Sequence, residues 1–342
     1  MPESDPLELA DSHGRIASDL RVSLSDRCNL RCQYCMPAEG LPWMPREEVL
    51  TDAEMLQLIR IGIEQLGIRT VRLTGGEPLL HRGLEGLVAG IAQMRTRAGI
   101  KPGIALTTNG IGLATRIDGL VAAGLDRINI SLDTLDPERF KSLTRRDRHA
   151  DVLAGIEAAV RSGLRPVKVN SVLMRGVNDD EAADLVEWAG RAGVQLRFIE
   201  QMPLDAQHGW SRAKMVTADE VYAAVSARFE LVEDPEDRRT RGAAPAELFR
   251  VAGTEQRIGI IAAVTRPFCG ACDRVRLTAD GQLRNCLFAR DESDLRGPLR
   301  AGASDEEIAE RWIRNVARKL PGHGINDPSF LQPDRPMSAI GG

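Results

Sequence analysis

The chain is short of charge of one sign, of cysteine and of long apolar runs, and each shortage removes a class of explanation. Its 342 residues carry 45 Lys and Arg against 49 Asp and Glu, a formal net charge of -4. The two signs are interspersed, which does not favour a general nucleic-acid or membrane surface. No segment approaches the roughly 18 apolar residues of a membrane span, and the acidic first twenty residues do not read as a secretory leader. Six cysteines in so long a chain do not make a disulfide framework. The expectation is a cytoplasmic protein with reduced thiols, in which a barrel-sized unit carries something smaller.

What is present begins with the thiols. Cys28, Cys32 and Cys35 stand in a C-x3-C-x2-C spacing just after the alternating run from Arg21 to Ser25, which reads as a metal-cluster loop at a strand end. A cubane iron-sulfur cluster is normally held by four thiolates. Three on one short loop therefore leave one iron for other chemistry. A zinc site lacking a ligand, a partial disulfide set and three unrelated buried thiols are the alternatives. The remaining thiols are Cys269 and Cys272, in a C-x2-C, and Cys286. That spacing alone is ambiguous between zinc, a redox disulfide and a cluster. Between them lies Arg274-Val275-Arg276, whose two cations point the same way if the segment is extended.

Short β-branched or aliphatic runs recur at residues 21–25, 69–74, 103–108, 127–132, 167–173 and 196–201, with helical segments between most of them. The capping boxes Thr51/Glu54, Thr217/Glu220 and Ser304/Glu307 each announce a helix. Six strands alternating with helices demand a parallel sheet with right-handed crossovers, too few for a closed eight-stranded barrel. The charged segment 233–246 reads as a linker or mobile loop, with a functional basic patch at Arg238-Arg239-Thr240-Arg241 as the alternative. A hairpin is expected at Asp280-Gly281.

Several strands contain cations where a packed barrel would prefer aliphatics. Arg72 lies between Val71 and Leu73, Lys168 between Val167 and Val169, and Arg21 between Leu20 and Val22. The two-residue strand period sends each cation to the face opposite its aliphatic neighbours. A buried charge is costly unless paired, so a polyanion such as a triphosphate explains them more economically than separate ion pairs. Thr107, ahead of Thr108-Asn109-Gly110, supplies a hydroxyl at the same mouth. The second run ends in Thr74-Gly75-Gly76-Glu77-Pro78, where glycines permit close approach of backbone to a ligand; a plain tight turn is the alternative.

With Tyr34 before the last cysteine, the first cysteine group resembles the radical S-adenosylmethionine superfamily. The whole order is similar to one family within it: C-x3-C-x2-C, TGGEP, TTNG, Lys168-Val169-Asn170, Arg197-Phe198-Ile199-Glu200, C-x2-C-x-R-x-R, a further cysteine and a terminal Gly341-Gly342. That family is the GTP 3',8-cyclases of molybdenum cofactor biosynthesis, and the resemblance runs from about residue 15 to the last residue. It implies an α/β fold, a partial (β/α)6 TIM-like barrel over residues 1–232 with a smaller C-terminal α+β cluster-binding domain over 247–342. It implies two [4Fe-4S] clusters, one on Cys28, Cys32 and Cys35 and one on Cys269, Cys272 and Cys286. S-adenosylmethionine would contact Tyr34, Gly76, Ser131 and Met202, and GTP would contact Arg21, Arg72, Thr107, Lys168, Arg274, Val275 and Arg276. Gly341 and Gly342 would enter the barrel and orient a catalytic arginine. A low-potential electron donor and a downstream cyclic pyranopterin monophosphate synthase are the implied partners, with a homodimer left open. The rivals are a radical enzyme that modifies peptides and a non-enzymatic zinc or iron-sulfur scaffold.

Overall fold

A computed structural model describes residues 8–341, so Gly342 and the first seven residues lie outside the description that follows. The strands are β1 (Asp19–Ser23), β2 (Thr70–Thr74), β3 (Gly103–Thr108), β4 (Arg127–Ser131), β5 (Val167–Val172), β6 (Gln195–Ile199), β7 (Leu231–Glu233), β8 (Glu247–Val251), β9 (Arg257–Ile261), β10 (Arg274–Leu277), β11 (Gln282–Arg284) and β12 (Ser293–Asp294). The helices are α1 (Asp52–Glu64), α2 (Leu84–Gln93), α3 (Ile117–Ala123), α4 (Pro137–Thr144), α5 (His149–Arg161), α6 (Ala182–Ala192), α7 (Ala218–Ser226), α8 (Pro235–Thr240), α9 (Arg296–Arg300), α10 (Asp305–Ala317) and α11 (Met337–Ile340).

All twelve strands form one sheet in the order β12-β11-β10-β1-β2-β3-β4-β5-β6-β9-β8-β7. The six strands expected from periodicity are its centre. The structure adds a parallel neighbour at each edge, β10 on β1 and β9 on β6. Among the described residues β9 and β10 do not pair with each other; each turns instead to an antiparallel partner, β8 and β11. The parallel run is therefore a barrel left open along one seam. Residues 262–273, which connect β9 to β10, must cross that seam because their ends lie on opposite edges of the sheet.

Local chemistry sets the elements. Each of the three capping boxes is formed, with Glu54 N, Glu220 N and Glu307 N donating to the hydroxyls of Thr51, Thr217 and Ser304 at 3.2 Å. The cap satisfies a donor that the first helical turn leaves open. Along β5 burial alternates residue by residue, Val167, Val169 and Ser171 going to the packed face. Strands and helices share one apolar core, and α10 joins it by packing the fully buried Trp312 against Gly62 of α1. The hairpin at Asp280-Gly281 is present between β10 and β11.

One expectation needs correction. The segment 233–246 is not a bare linker: Asp234 caps Glu236 N at 3.1 Å, Pro235 opens α8, and Asp237 accepts from Leu248 N at 3.1 Å. Charge density hid a helix whose first turn is built from a capping Asp and a Pro. The tail ends in the single turn of α11, whose Ile340 is fully buried with Leu204 and Phe288.

The Trp312 side chain is fully buried and its Nε1 has no hydrogen-bond partner. Trp312→Ala should therefore cost roughly 3–5 kcal/mol through the cavity it opens. Trp312→Phe should cost under about 2 kcal/mol, since it also removes an unsatisfied donor. Denaturant midpoints of the two variants test this; equal losses would mean that the indole nitrogen is satisfied in solution.

Candidate active site

The first cysteine group sits on the loop leaving β1. Arg31 N and Gln33 N donate to Thr144 O and Leu143 O, both at 2.9 Å, which strings the loop along the end of α4. Arg145 clamps it from the other side, its guanidinium donating to Arg31 O at 2.9 Å and Met36 O at 3.0 Å. Leu30 N, at 3.4 Å, and the Asn109 amide, at 3.9 Å, donate to Cys28 Sγ. Burial pushes the Cys28 thiol up to about 11 and the Cys35 thiol up to about 12, with like charge on Glu77 adding to the first rise and on Cys28 to the second. Cys32 rises as well, by burial first and then by Cys35, Asp133 and Cys28. Such thiols give up their protons to a bound cation rather than to water.

Among the described residues no three His, Cys, Asp or Glu side chains come close enough to share one metal ion. All six cysteines are free and half-buried.

The neighbouring loops are laced to this one. Gly75 sits at φ +133, and a Cβ there would lie 2.6 Å from Ser25 O. A Cβ on Gly76 would land on the Arg27 carbonyl, and Glu77 N donates to that carbonyl at 2.8 Å. The paired glycines thus admit the chain's own backbone at the entrance to the cysteine loop. Glu77, which the motif reading left without a role, is fully buried and accepts from Leu79 N, Thr108 Oγ1 and Asn109 N at 2.7–2.8 Å. Burial pushes it up to about 7 despite those donors. Asn109 continues the link, donating to Asn29 Oδ1 at 2.7 Å. Tyr34 donates its hydroxyl to Asp133 Oδ2 at 2.7 Å, and Val172 N donates to Asp133 Oδ1 at 2.9 Å. Asp133, two residues beyond Ser131 at the end of β4, is another residue missed in the sequence.

Inside the barrel the register lines up cations. Arg21 is the direct partner of Arg276 on one side and of Arg72 on the other, so three guanidiniums stand on adjacent strands facing one way. Directly opposed like charges destabilise a sheet. Asp19, 3.8 Å from Arg21, is the nearest compensation, and Arg72 reaches neutral oxygens, the Thr107 hydroxyl at 3.3 Å and the Asn129 amide at 3.2 Å. Burial, then neighbouring cations, drives Arg72 down to about 9, Arg197 down to about 10 and Lys168 down to about 7. Arg276 falls for the same reasons. The Nε atoms of Arg21, Arg72, Arg197 and Arg274 are buried without a hydrogen-bond partner. Arg197 and Arg127, which add to this field, were not singled out earlier, although Arg197 between Leu196 and Phe198 shows the same alternation as Lys168.

The second cysteine group lies at the seam, with Cys269 and Cys272 on the 262–273 crossing and Cys286 just after β11. Glu200, buried at the end of β6, fixes the start of the crossing by accepting from Val264 N and Thr265 N, each at 2.8 Å. Arg274 stacks over Phe268 at 5.1 Å and donates to Ala243 O at 2.7 Å. The tail enters between the two cysteine groups. Arg335 is held by Asp280, at 3.0 and 2.7 Å, and by Glu292 at 2.8 Å, and Met337 N donates to Leu204 O at 3.0 Å. At the end of this path the Gly341 carbonyl accepts from Arg276. Gly341 has φ +82, and a Cβ on it would strike Ser23 and Thr74. Val275 is buried in the sheet beside Leu20. Met202 packs at the edge of the cluster containing Ile340.

Comparison with known proteins places this arrangement. The Radical SAM superfamily profile matches residues 22–189, and the profile described as Molybdenum Cofactor Synthesis C matches residues 194–325. A GTP 3',8-cyclase of Streptomyces coelicolor is 59% identical over 334 residues, 98% of this chain and 96% of that protein. One of Corynebacterium glutamicum is 59% identical over 339 residues, 98% of this chain and 89% of its own length. In fold, the chain resembles Streptococcus suis SuiB bound to S-adenosylmethionine, with TM-score 0.61 at 13% identity over 95% of this chain and 77% of that one.

The depressed Lys168 ammonium makes a testable demand. A polyanion beside it favours the charged form, so binding should draw in a proton once the pH exceeds about 7, and affinity should fall as pH rises from 7 to 9. Calorimetric titration with inorganic triphosphate in two buffers of different ionisation heat should show this uptake at pH 8, and Lys168→Arg should abolish it. The same heat in both buffers would remove Lys168 from the anion site.

Proposed function

The chain belongs to the GTP 3',8-cyclase family of radical S-adenosylmethionine enzymes, and from that premise we propose how its own residues divide the work. It is an enzyme of molybdenum cofactor biosynthesis that cyclises GTP to (8S)-3',8-cyclo-7,8-dihydroguanosine 5'-triphosphate, using S-adenosylmethionine and a [4Fe-4S] cluster. When bound, these two would supply the hard step, radical removal of the ribose 3' hydrogen that lets C3' close on C8, with one further electron and a proton completing the 7,8-dihydro product.

Cys28, Cys32 and Cys35 would hold that cluster, which suits three buried thiols whose pKa values burial has raised. Tyr34, Gly76, Ser131 and Met202 would line S-adenosylmethionine, with Asp133 setting the direction of the Tyr34 ring. A second [4Fe-4S] cluster would sit on Cys269, Cys272 and Cys286 and face the purine. Arg21, Arg72, Lys168, Arg274 and Arg276 would neutralise the triphosphate, with the Thr107 hydroxyl and the Val275 backbone beside them. One observation carries this reading: the in-register row Arg276, Arg21, Arg72, with buried guanidinium donors left open, needs an anion of several charges. Gly341 would act by taking one donor of Arg276 and so fixing where the other four point. Gly342, also proposed as catalytic, lies outside the described residues.

Residues 1–232 and 247–342 are proposed as units of chemistry, one for the radical and one for the nucleotide, although both feed strands to a single sheet. No helix of the described chain is long and apolar enough to cross a membrane. A cytoplasmic location, a low-potential electron donor and a downstream cyclic pyranopterin monophosphate synthase complete the proposal, and a homodimer is left open.

Anaerobic iron and sulfide analysis should give about eight irons per chain, falling to about four in Cys32→Ala and in Cys272→Ala. Zinc, or four irons in the parent, would overturn the two-cluster reading. Deleting Gly341 and Gly342 should leave the iron content and melting unchanged but remove cyclisation. A peptide ending in those residues should restore it in part. Parent-rate cyclisation by the truncated protein would assign the tail no role in catalysis.

A further inference from the structure

Lys319, two residues beyond α10, is a buried ammonium with 4% exposure. A lysine past a helix end usually reaches back to that helix's last carbonyls. Lys319 does not. Its Nζ donates to Cys272 O at 3.0 Å, Arg274 O at 2.9 Å and Cys272 Sγ at 3.5 Å, all on the cysteine crossing or β10, 45 or more residues earlier. An ammonium has three donors, and these three acceptors use them all. Among the described residues no carboxylate forms an ion pair with it, and Arg274, whose carbonyl it holds, is itself a cation. A buried charge in that setting wants a fixed anion, and the group in contact that a bound cluster would make anionic is the sulfur of Cys272.

The surroundings hold the contact in place. Arg15 donates to Cys269 O at 2.8 Å, Leu320 O at 2.6 Å and Pro321 O at 3.0 Å, so one side chain ties the cysteine crossing to the segment following Lys319. Arg274 Nη1 donates to the same Cys272 sulfur at 3.9 Å, so two cationic side chains meet it.

We propose that Lys319 is the counter-charge of the C-terminal cysteine site, a positioning residue that orients Cys272 and raises the reduction potential of the cluster bound there. The inference rests on the two-cluster reading and adds a residue to it. A cubane with three thiolates goes from a net charge of about -1 to about -2 on taking up an electron, and an ammonium donating to one of its sulfurs favours the more negative state.

The test uses the full-length chain with the N-terminal site emptied by Cys32→Ala, so that one cluster signal remains. Iron is counted and the midpoint potential is read by EPR-monitored redox titration for this background and with Lys319→Met, Lys319→Gln or Lys319→Arg added. With iron content equal, Met and Gln should each shift the reduced fraction at fixed potential at least tenfold toward the oxidised state, about 59 mV for one electron. Arg should stay near the background value. Loss of the iron from Met and Gln but not from Arg would also support a required positive charge. An unshifted midpoint at equal iron would overturn the inference alone, and loss of iron from all three would make Lys319 a packing residue and overturn it too. About four irons rather than eight in the unmutated chain would overturn the two-cluster reading itself and the inference with it.

Discussion

The interior of this barrel depends on the register between β10, β1 and β2, which sets Arg276, Arg21 and Arg72 side by side. Neighbouring strands lie about 4.8 Å apart, so the fold holds like charges close together in a place where burial already disfavours charge. What allows it is a division between the faces of the strands. One face of β1, β2 and β5 carries Leu20, Val22, Val71, Leu73, Val167 and Val169, all buried against the helices, and those contacts supply the apolar burial that stabilises the sheet. The other face is free of any packing duty and carries Arg21, Arg72 and Lys168. The site is thus strained only in its charges, and a polyanion relieves that strain when it binds.

This division also explains why the C-terminal part of the chain is woven into the sheet. Arg274 and Arg276 contribute to the cationic interior because β10 is a strand of the same sheet, in register with β1. The 262–273 crossing can present cysteines at the seam because its two ends are fixed to opposite edges, at β9 and β10. Glu200 and Lys319 then act on this crossing from the two sides, one fixing its backbone amides and the other its sulfur.

Much of this was legible in the sequence because the physics was local. Strand alternation located β1 to β6 within a residue or two, and the hydroxyl-to-glutamate spacing gave all three capping boxes. That Arg21, Arg72 and Lys168 face away from their aliphatic neighbours followed from the two-residue period alone. Features set by distant contacts were not legible. β9 and β10 are short, and although Arg274-Val275-Arg276-Leu277 alternates, nothing in their own residues says which strand each pairs with. α8 was hidden by its charge, and α11 by the prolines before it. Glu77, Asp133 and Glu200 each act by accepting from backbone amides of other segments, a role that leaves no trace in the spacing of residues around them. Arg197 is the exception, since its signal was present and identical in kind to that of Lys168.

The open seam follows from the same arithmetic of faces. Eight parallel strands are enough to close a barrel, and closure would let β9 and β10 satisfy each other's edges. A closed eight-stranded barrel of this kind fills its interior with layers of branched aliphatic side chains. Here the interior positions are Arg21, Arg72, Lys168, Arg197 and Arg276, which cannot pack against one another without an anion between them. Pairing β9 with β8 and β10 with β11 satisfies both edges while keeping the interior wide. The gap that remains has to be bridged by a segment of chain, and that segment carries Cys269 and Cys272. The constraint that keeps the barrel from closing is the one that brings the second group of thiols to its mouth.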